Sequence, residues 1–131
     1  MAYQFRGLWS NGRGDYRQAR SDFENSIRCT PDNPYAHSAL GLLLATCKNK
    51  ALRDGPRSVE HAQQACELTH WRDWSQLRVL ASAYSENGDA ASAVRWCEQA
   101  LEAAPEISHR GIRAQLQQYR KQLAATGESP Q

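Results

Sequence analysis

The 131-residue sequence predicts an all-α fold: an α-solenoid of about three helical hairpins closed by a C-terminal capping helix, about seven helices in all. Three observations predict it. Apolar residues recur at helical spacing, as at Leu77, Leu80, Ala81 and Tyr84, and again at Ala93, Val94, Cys97, Ala100 and Leu101. Tight turn signals separate such stretches, among them Gly14-Asp15, Pro31-Asp32-Asn33 and Asn87-Gly88-Asp89. Small residues sit where two helices must approach closely, at Ala81, Ala93 and Ala100.

Residues 2–11 read as the first helix, weakened by Gly7 and by Gly12 just beyond it. The chain turns at Gly12-Arg13-Gly14-Asp15; Arg13-Gly14-Asp15 spells a cell-adhesion tripeptide but is read here as the turn of a hairpin. The second helix spans 16–29, with Tyr16, Ala19, Phe23 and Ile27 on its apolar face. Arg17, Arg20, Asp22, Glu24 and Arg28 lie opposite, spaced to offset one another's charge. Pro34 suits the first turn of a third helix, 34–47, which is apolar on nearly every face at Leu40, Leu42, Leu43, Leu44 and Ala45. Such a helix is either buried or lines a binding surface. His37, in its first turn, is assigned to packing, because no nucleophile or acid stands beside it in sequence.

Asp54-Gly55-Pro56 turns the chain into a fourth helix, 57–69, with Val59, Ala62, Ala65, Cys66 and Leu68 inward. Trp71 and Trp74 are expected to pack over the joint that follows. The fifth and sixth helices flank Asn87-Gly88-Asp89. There Gly88 supplies the positive φ that ends one helix, and Asp89 caps the next. Pro105 ends the hairpin. A seventh helix, 107–125, should face inward with Ile107, Ile112, Leu116, Tyr119 and Leu123. It turns Arg110, Arg113, Gln115, Gln117, Gln118, Arg120, Lys121 and Gln122 outward. Repeat arrays need a polar-faced element to close an apolar end, and this helix fits that role. One domain over 1–125 follows, with hairpin units at about 1–33, 34–73 and 74–107, a cap at 107–125 and a disordered tail at 126–131.

The spacing of Leu77, Leu80, Ala81, Tyr84, Ala93, Cys97, Ala100 and Pro105 resembles the tetratricopeptide repeat, a helix–turn–helix unit of about 34 residues. An earlier copy is similar at Tyr3, Gly7, Gly14-Asp15-Tyr16, Ala19, Phe23 and Ser26. A middle copy fits at Leu40, Gly41, Leu44, Ala62, Ala65 and Leu68. The middle copy departs from the pattern in two ways. Its internal turn is extended through residues 48–56, in the manner of bacterial multidomain proteins. His70-Trp71-Arg72-Asp73 also replaces a terminal proline. The extension carries Lys48, Lys50, Arg53 and Asp54 and is read as a tolerated surface insertion. The resemblance covers about residues 2–107 and implies a short right-handed superhelix whose first helices line a concave groove.

That resemblance implies an adaptor or scaffold whose groove takes a partner peptide or helix. By repeat position the groove would present Gln4, Leu8 and Asn11, then Tyr35, Ser38, Leu42 and Thr46, then Ser75, Arg78, Ser82 and Ser85. Leu8, Tyr35 and Leu42 are the apolar anchors. Arg78 is the lone cation, too few for the basic clamp with which chaperone-binding members grip a C-terminal carboxylate. The alternative is a self-associating structural module within a larger assembly, because the glycine-weakened first helix is a poor end cap. A homo-oligomer belongs to that alternative.

Composition narrows the remaining classes. A formal net charge of +2 gives no electrostatic case for nucleic acid or membrane partners. The longest apolar run, 39–45, falls far short of the ~20 residues of a span. The opening Met1-Ala2-Tyr3 lacks the pattern of a secretion signal, so a cytoplasmic location is expected. Cys29, Cys47, Cys66 and Cys97 are widely spaced, on the apolar side or at the end of helical patterns, and are expected as reduced core thiols. Cys66 and His70 share an i, i+4 face, but no second pair completes a metal site. No phosphate-binding glycine loop or metalloprotease helix is present. The expectation is a non-enzyme with no cofactor and no metal.

Overall fold

Short polar punctuation sets where each helix begins. The fold is taken from a computed structural model, which describes residues 16–46, 51 and 53–126. Among these are six α-helices and no strand: α1 (Tyr16–Cys29), α2 (Pro34–Thr46), α3 (Gly55–Leu68), α4 (Trp74–Glu86), α5 (Ala90–Ala103) and α6 (His109–Thr126). A 3-10 turn, Glu106–Ser108, leads into α6. The expected helix at 2–11, the Arg13-Gly14-Asp15 turn, Cys47, Lys48 and Lys50, and the chain beyond Thr126 lie outside the described residues.

Three aspartates act as N-caps. Asp54 accepts from the Arg57 amide at 3.2 Å, Asp73 from the Ser75 amide at 3.0 Å and Asp89 from the Ser92 amide at 3.0 Å. Pro56 falls within the first turn of α3, where a missing N–H costs nothing. Gly88, at φ +82°, ends α4 as expected. The end of α3 is made differently. His70 and Trp71 both adopt left-handed φ, 57° and 60°, and the Trp71 amide donates to the Cys66 carbonyl at 2.8 Å. A left-handed residue with a side chain costs roughly 1–2 kcal/mol, so tertiary packing must offset it. Trp71 supplies some of that packing by stacking on Trp96 of α5, with ring centres 5.2 Å apart. The expected joint is therefore covered, but Trp71 pairs with Trp96, while Trp74 packs separately against the core.

Each helix packs on the one before and the one after it, and α2 also packs on α4. This is the contact pattern of helical hairpins placed side by side. The tightest approach is at Gly41 of α2. A Cβ there would lie 3.2 Å from the Ser58 carbonyl oxygen and 3.3 Å from the Ala62 nitrogen, both backbone atoms of α3. Ser58 donates its buried hydroxyl to the Gly41 carbonyl at 2.6 Å. The all-round apolar pattern of α2 is accounted for: Ala36, Leu40, Leu43, Leu44 and Ala45 are all buried.

The core divides in two. A smaller cluster joins Ala19 and Phe23 of α1 to Leu40, Leu43 and Leu44 of α2. A larger one runs from Ala62 and Cys66 of α3 through α4 and α5 to Ile112, Leu116, Tyr119 and Leu123 of α6. Cys66 and Cys97 are buried thiols, as expected, whereas Cys29 is exposed at the end of α1. Ile107 also departs from expectation. The 3-10 turn after Pro105 rotates it out of register with α6, and it is 92% exposed.

Candidate functional site

The sequence placed the groove on the first helix of each hairpin, here α2 and α4. The structure brings part of that set together at two adjoining clefts between α2, α4 and α6. The larger, ≈ 420 Å³, is lined by Ala45 and Thr46 of α2, Ser82, Ser85 and Glu86 of α4, and Gln115, Gln118, Tyr119 and Gln122 of α6. The smaller, ≈ 290 Å³, is lined by Leu42, Arg78, Val79, Ser82 and Gln115. Ser82 and Gln115 line both, so the two form one continuous surface.

Of the residues assigned to the groove, Leu42, Thr46, Arg78, Ser82 and Ser85 thus line a shared cleft. Tyr35 lies on the same helix as Leu42 and is 54% exposed. Its amide is held by Asn33 Oδ1 at 3.0 Å. Ser38 is buried and donates to the Tyr35 carbonyl at 3.2 Å. Ser75 is spent on the Asp73 cap, with its hydroxyl 2.6 Å from Oδ1. Gln4, Leu8 and Asn11 lie outside the described residues.

The α4 positions meet α6 rather than open space. Arg78 Nε donates to Gln115 Oε1. Ser82 Oγ and the Tyr119 hydroxyl are 2.9 Å apart. Ser85 donates to Gln122 Oε1 at 2.6 Å, and Gln122 Nε2 returns to the Ser85 carbonyl at 3.1 Å. All three rungs have the same separation of 37 residues, so α4 and α6 are zipped in one register. Gln115 Nε2 lies 3.3 Å from the Tyr119 hydroxyl and ties two rungs together. Sequence reasoning missed this ladder because Tyr119 read as apolar core and the glutamines as solvated surface. The signal was present: positions 78, 82 and 85 and positions 115, 119 and 122 are both spaced four and then three apart, which aligns one face of each helix.

Burial pushes the Tyr119 phenol above its usual range, so it stays a neutral hydrogen-bonding group in the cleft; the Ser82 bond and the nearby Arg78 charge act in the opposite direction. Burial likewise raises the Cys97 thiol to about 11 and the Cys66 thiol to about 12, leaving both as inert packing groups. Cys66 is buried and His70 exposed, so these two do not converge.

Charge pairing separates Arg78 from its peers. Arg20, Arg53 and Arg57, also half-buried, each lie 3.5–3.6 Å from a glutamate. Arg53 holds Glu86, the one carboxylate at the cleft edge among the described residues. Arg78 has only the neutral Gln115 amide among the described residues. Its guanidinium lies over Gly111, where a Cβ would sit 3.2 Å from one of its terminal nitrogens.

No protein-family model matches the chain, and no curated protein sequence matches it. Among the described residues, no helix is long and apolar enough to cross a membrane.

Proposed function

We propose that this chain is a helical-repeat adaptor of the tetratricopeptide kind, holding a segment of a partner protein in the cleft between α2, α4 and α6. The observation that carries this reading is Arg78: a half-buried cation, without a carboxylate partner among the described residues, in a cleft bordered by partly exposed Leu42. A desolvated guanidinium favours a carboxylate partner. The bound segment therefore brings an acidic side chain to Arg78 and an apolar one to Leu42 and Tyr35. The Ser and Gln side chains along the ladder offer further donors and acceptors to its backbone.

Self-association, the alternative, gains less support at the C-terminal end. The outward residues of α6 are Arg110, Arg113, Gln117, Arg120 and Lys121, all exposed; Arg120 is paired with Glu98, and the remaining like charges would repel if copies stacked there.

The test is retention of partners from source-cell lysate on wild-type domain and on a Tyr35→Ala, Arg78→Ala double variant that keeps its helical circular dichroism. A partner held by wild type should be retained at least tenfold less by the variant, about 1.4 kcal/mol or more. Its binding should also weaken with salt. Equal retention by both would remove the cleft as the site.

A further inference from the structure

Away from the cleft, two imidazoles join the second hairpin. His37 of α2 is buried and His61 of α3 is half-buried. Their Nδ1 atoms are 3.2 Å apart. The ring centres are 5.5 Å apart and the planes differ by 28°. The rings therefore meet nitrogen to nitrogen rather than face over face. His37 Nε2 lies 2.8 Å from the Pro31 carbonyl oxygen. A carbonyl can only accept, so that nitrogen carries a hydrogen. In a neutral ring the His37 Nδ1 is then the acceptor, and the hydrogen between the two rings belongs to His61 Nδ1. Among the described residues no third histidine, cysteine or carboxylate joins the two rings in a group that could hold a metal ion.

We infer that the His37–His61 pair is a proton-operated latch that clamps α2 to α3 and to the Pro31 turn when at most one ring is charged, and opens when both are. A first extra proton on His61 Nε2 leaves the bond intact. A second puts hydrogens on both Nδ1 atoms, and then neither can accept. The two cations would also face each other at hydrogen-bond distance.

The charged groups around His61 come from two other sources besides His37: Arg57 and Glu60 on its own helix, and Glu24 on α1. Glu24 lies 3.6 Å from both Arg57 and Arg20, so part of its field is already taken up. Burial, followed by the His37 and Arg57 charges, lowers the His61 pKa; the two glutamates oppose this and lose. The unfolded chain therefore takes up the proton at a higher pH than the folded one. The stability contributed by keeping buried His61 neutral is complete above the ordinary value of 6.5 and is lost as pH falls from there towards the lowered folded value.

His37 sits between Tyr35, the exposed aromatic of α2, and Ser38, whose hydroxyl bonds the Tyr35 carbonyl. Opening the latch loosens this first turn of α2 and so the presentation of Tyr35. The latch itself does not rest on the proposed adaptor function; only its effect on a partner does.

Two measurements test it. Imidazole nitrogen–proton correlations of the wild-type protein at pH 7.5 should show His37 protonated on Nε2 alone and His61 protonated on Nδ1. A His37 protonated on Nδ1 would overturn the assignment. Urea unfolding of wild type and His61→Gln at pH 7.5 and 5.0 then reads the coupling. The glutamine amide can donate to His37 Nδ1 but does not titrate, and contributions from groups that do not interact with His61 cancel between the two proteins. The folding equilibrium of wild type should drop at least fivefold more than that of the variant, against a ceiling of about tenfold per pH unit per proton. Equal drops would sink the latch. If the variant does not fold, the wild-type titration of His61 decides: a His61 ring titrating at the ordinary histidine value would overturn it.

Discussion

Removing the Tyr119 hydroxyl tests whether α6 is held on α4 by its polar ladder or merely rests there. Tyr119→Phe keeps the ring in the core and deletes only the oxygen that meets Ser82 Oγ at 2.9 Å and Gln115 Nε2 at 3.3 Å. Ser82 keeps the Arg78 carbonyl at 3.4 Å, so no buried hydroxyl is stranded. The expected loss is that of one net buried hydrogen bond, about 1–1.5 kcal/mol. Ser82→Ala removes the same bond from the other side and should cost about 1 kcal/mol. Because both variants delete one interaction, the double variant should fall short of additivity by about 1 kcal/mol. For a chain of this size 1 kcal/mol moves the melting temperature by roughly 3–5 °C, well within the reach of calorimetry or urea titration. A coupling below about 0.3 kcal/mol would show that Ser82 and Tyr119 do not act on each other, and the ladder would lose its central rung.

Three further outcomes follow from the same packing. Ile107→Ser should leave stability within about 0.5 kcal/mol, because Ile107 is almost wholly exposed, whereas Ile112→Ala, at a fully buried site five residues on, should cost about 2–5 kcal/mol by denaturant titration. Asp89→Ala removes the cap that accepts from both the Ser92 amide and its hydroxyl and should cost about 1 kcal/mol, with the loss seen as faster hydrogen exchange in the first turn of α5. Alkaline pH should weaken the fold through its thiols. Unfolded cysteines ionise near 9.0, while burial holds Cys97 to about 11 and Cys66 to about 12. Stability is thus complete below pH 9 and falls above it, by about tenfold in the folding equilibrium per thiol at pH 10. Urea titration at pH 8 and 10 reads this, and Cys66→Ala with Cys97→Ala should abolish the added loss.

Much of the architecture was written in local signals, and the departures from it share a cause. The Gly88 turn, the Asp89 cap and the buried α2 each rest on residues whose chemistry acts within a few positions: a left-handed glycine, a carboxylate near free amides, an apolar run. Leu42, Thr46, Arg78, Ser82 and Ser85, which the tetratricopeptide resemblance assigned to a groove by repeat position, line adjoining clefts. The resemblance did not say that α6 would occupy the far wall of those clefts and bond with three of them. That depends on how the Pro105 turn aims α6, which is a long-range outcome. Ile107 was misplaced for the same reason, since a 3-10 turn shifts the phase by which its face was assigned. Cys29, with the apolar spacing of a core residue, lies at the last position of α1, beyond the reach of neighbouring helices.

The Trp71–Trp96 stack has an optical consequence. Two indoles held 5.2 Å apart and nearly parallel, one beyond the end of α3 and one on α5, couple electronically and shape each other's fluorescence. Their contact exists only while the second and third hairpins stay in register. In a chain with Trp9 and Trp74 replaced by Phe, a change in tryptophan emission therefore dates the moment when the joint between them gives way, which backbone signals averaged over every helix would not resolve. Comparing that trace with helix loss by circular dichroism would show whether the stack of hairpins melts as one unit or parts at this seam first.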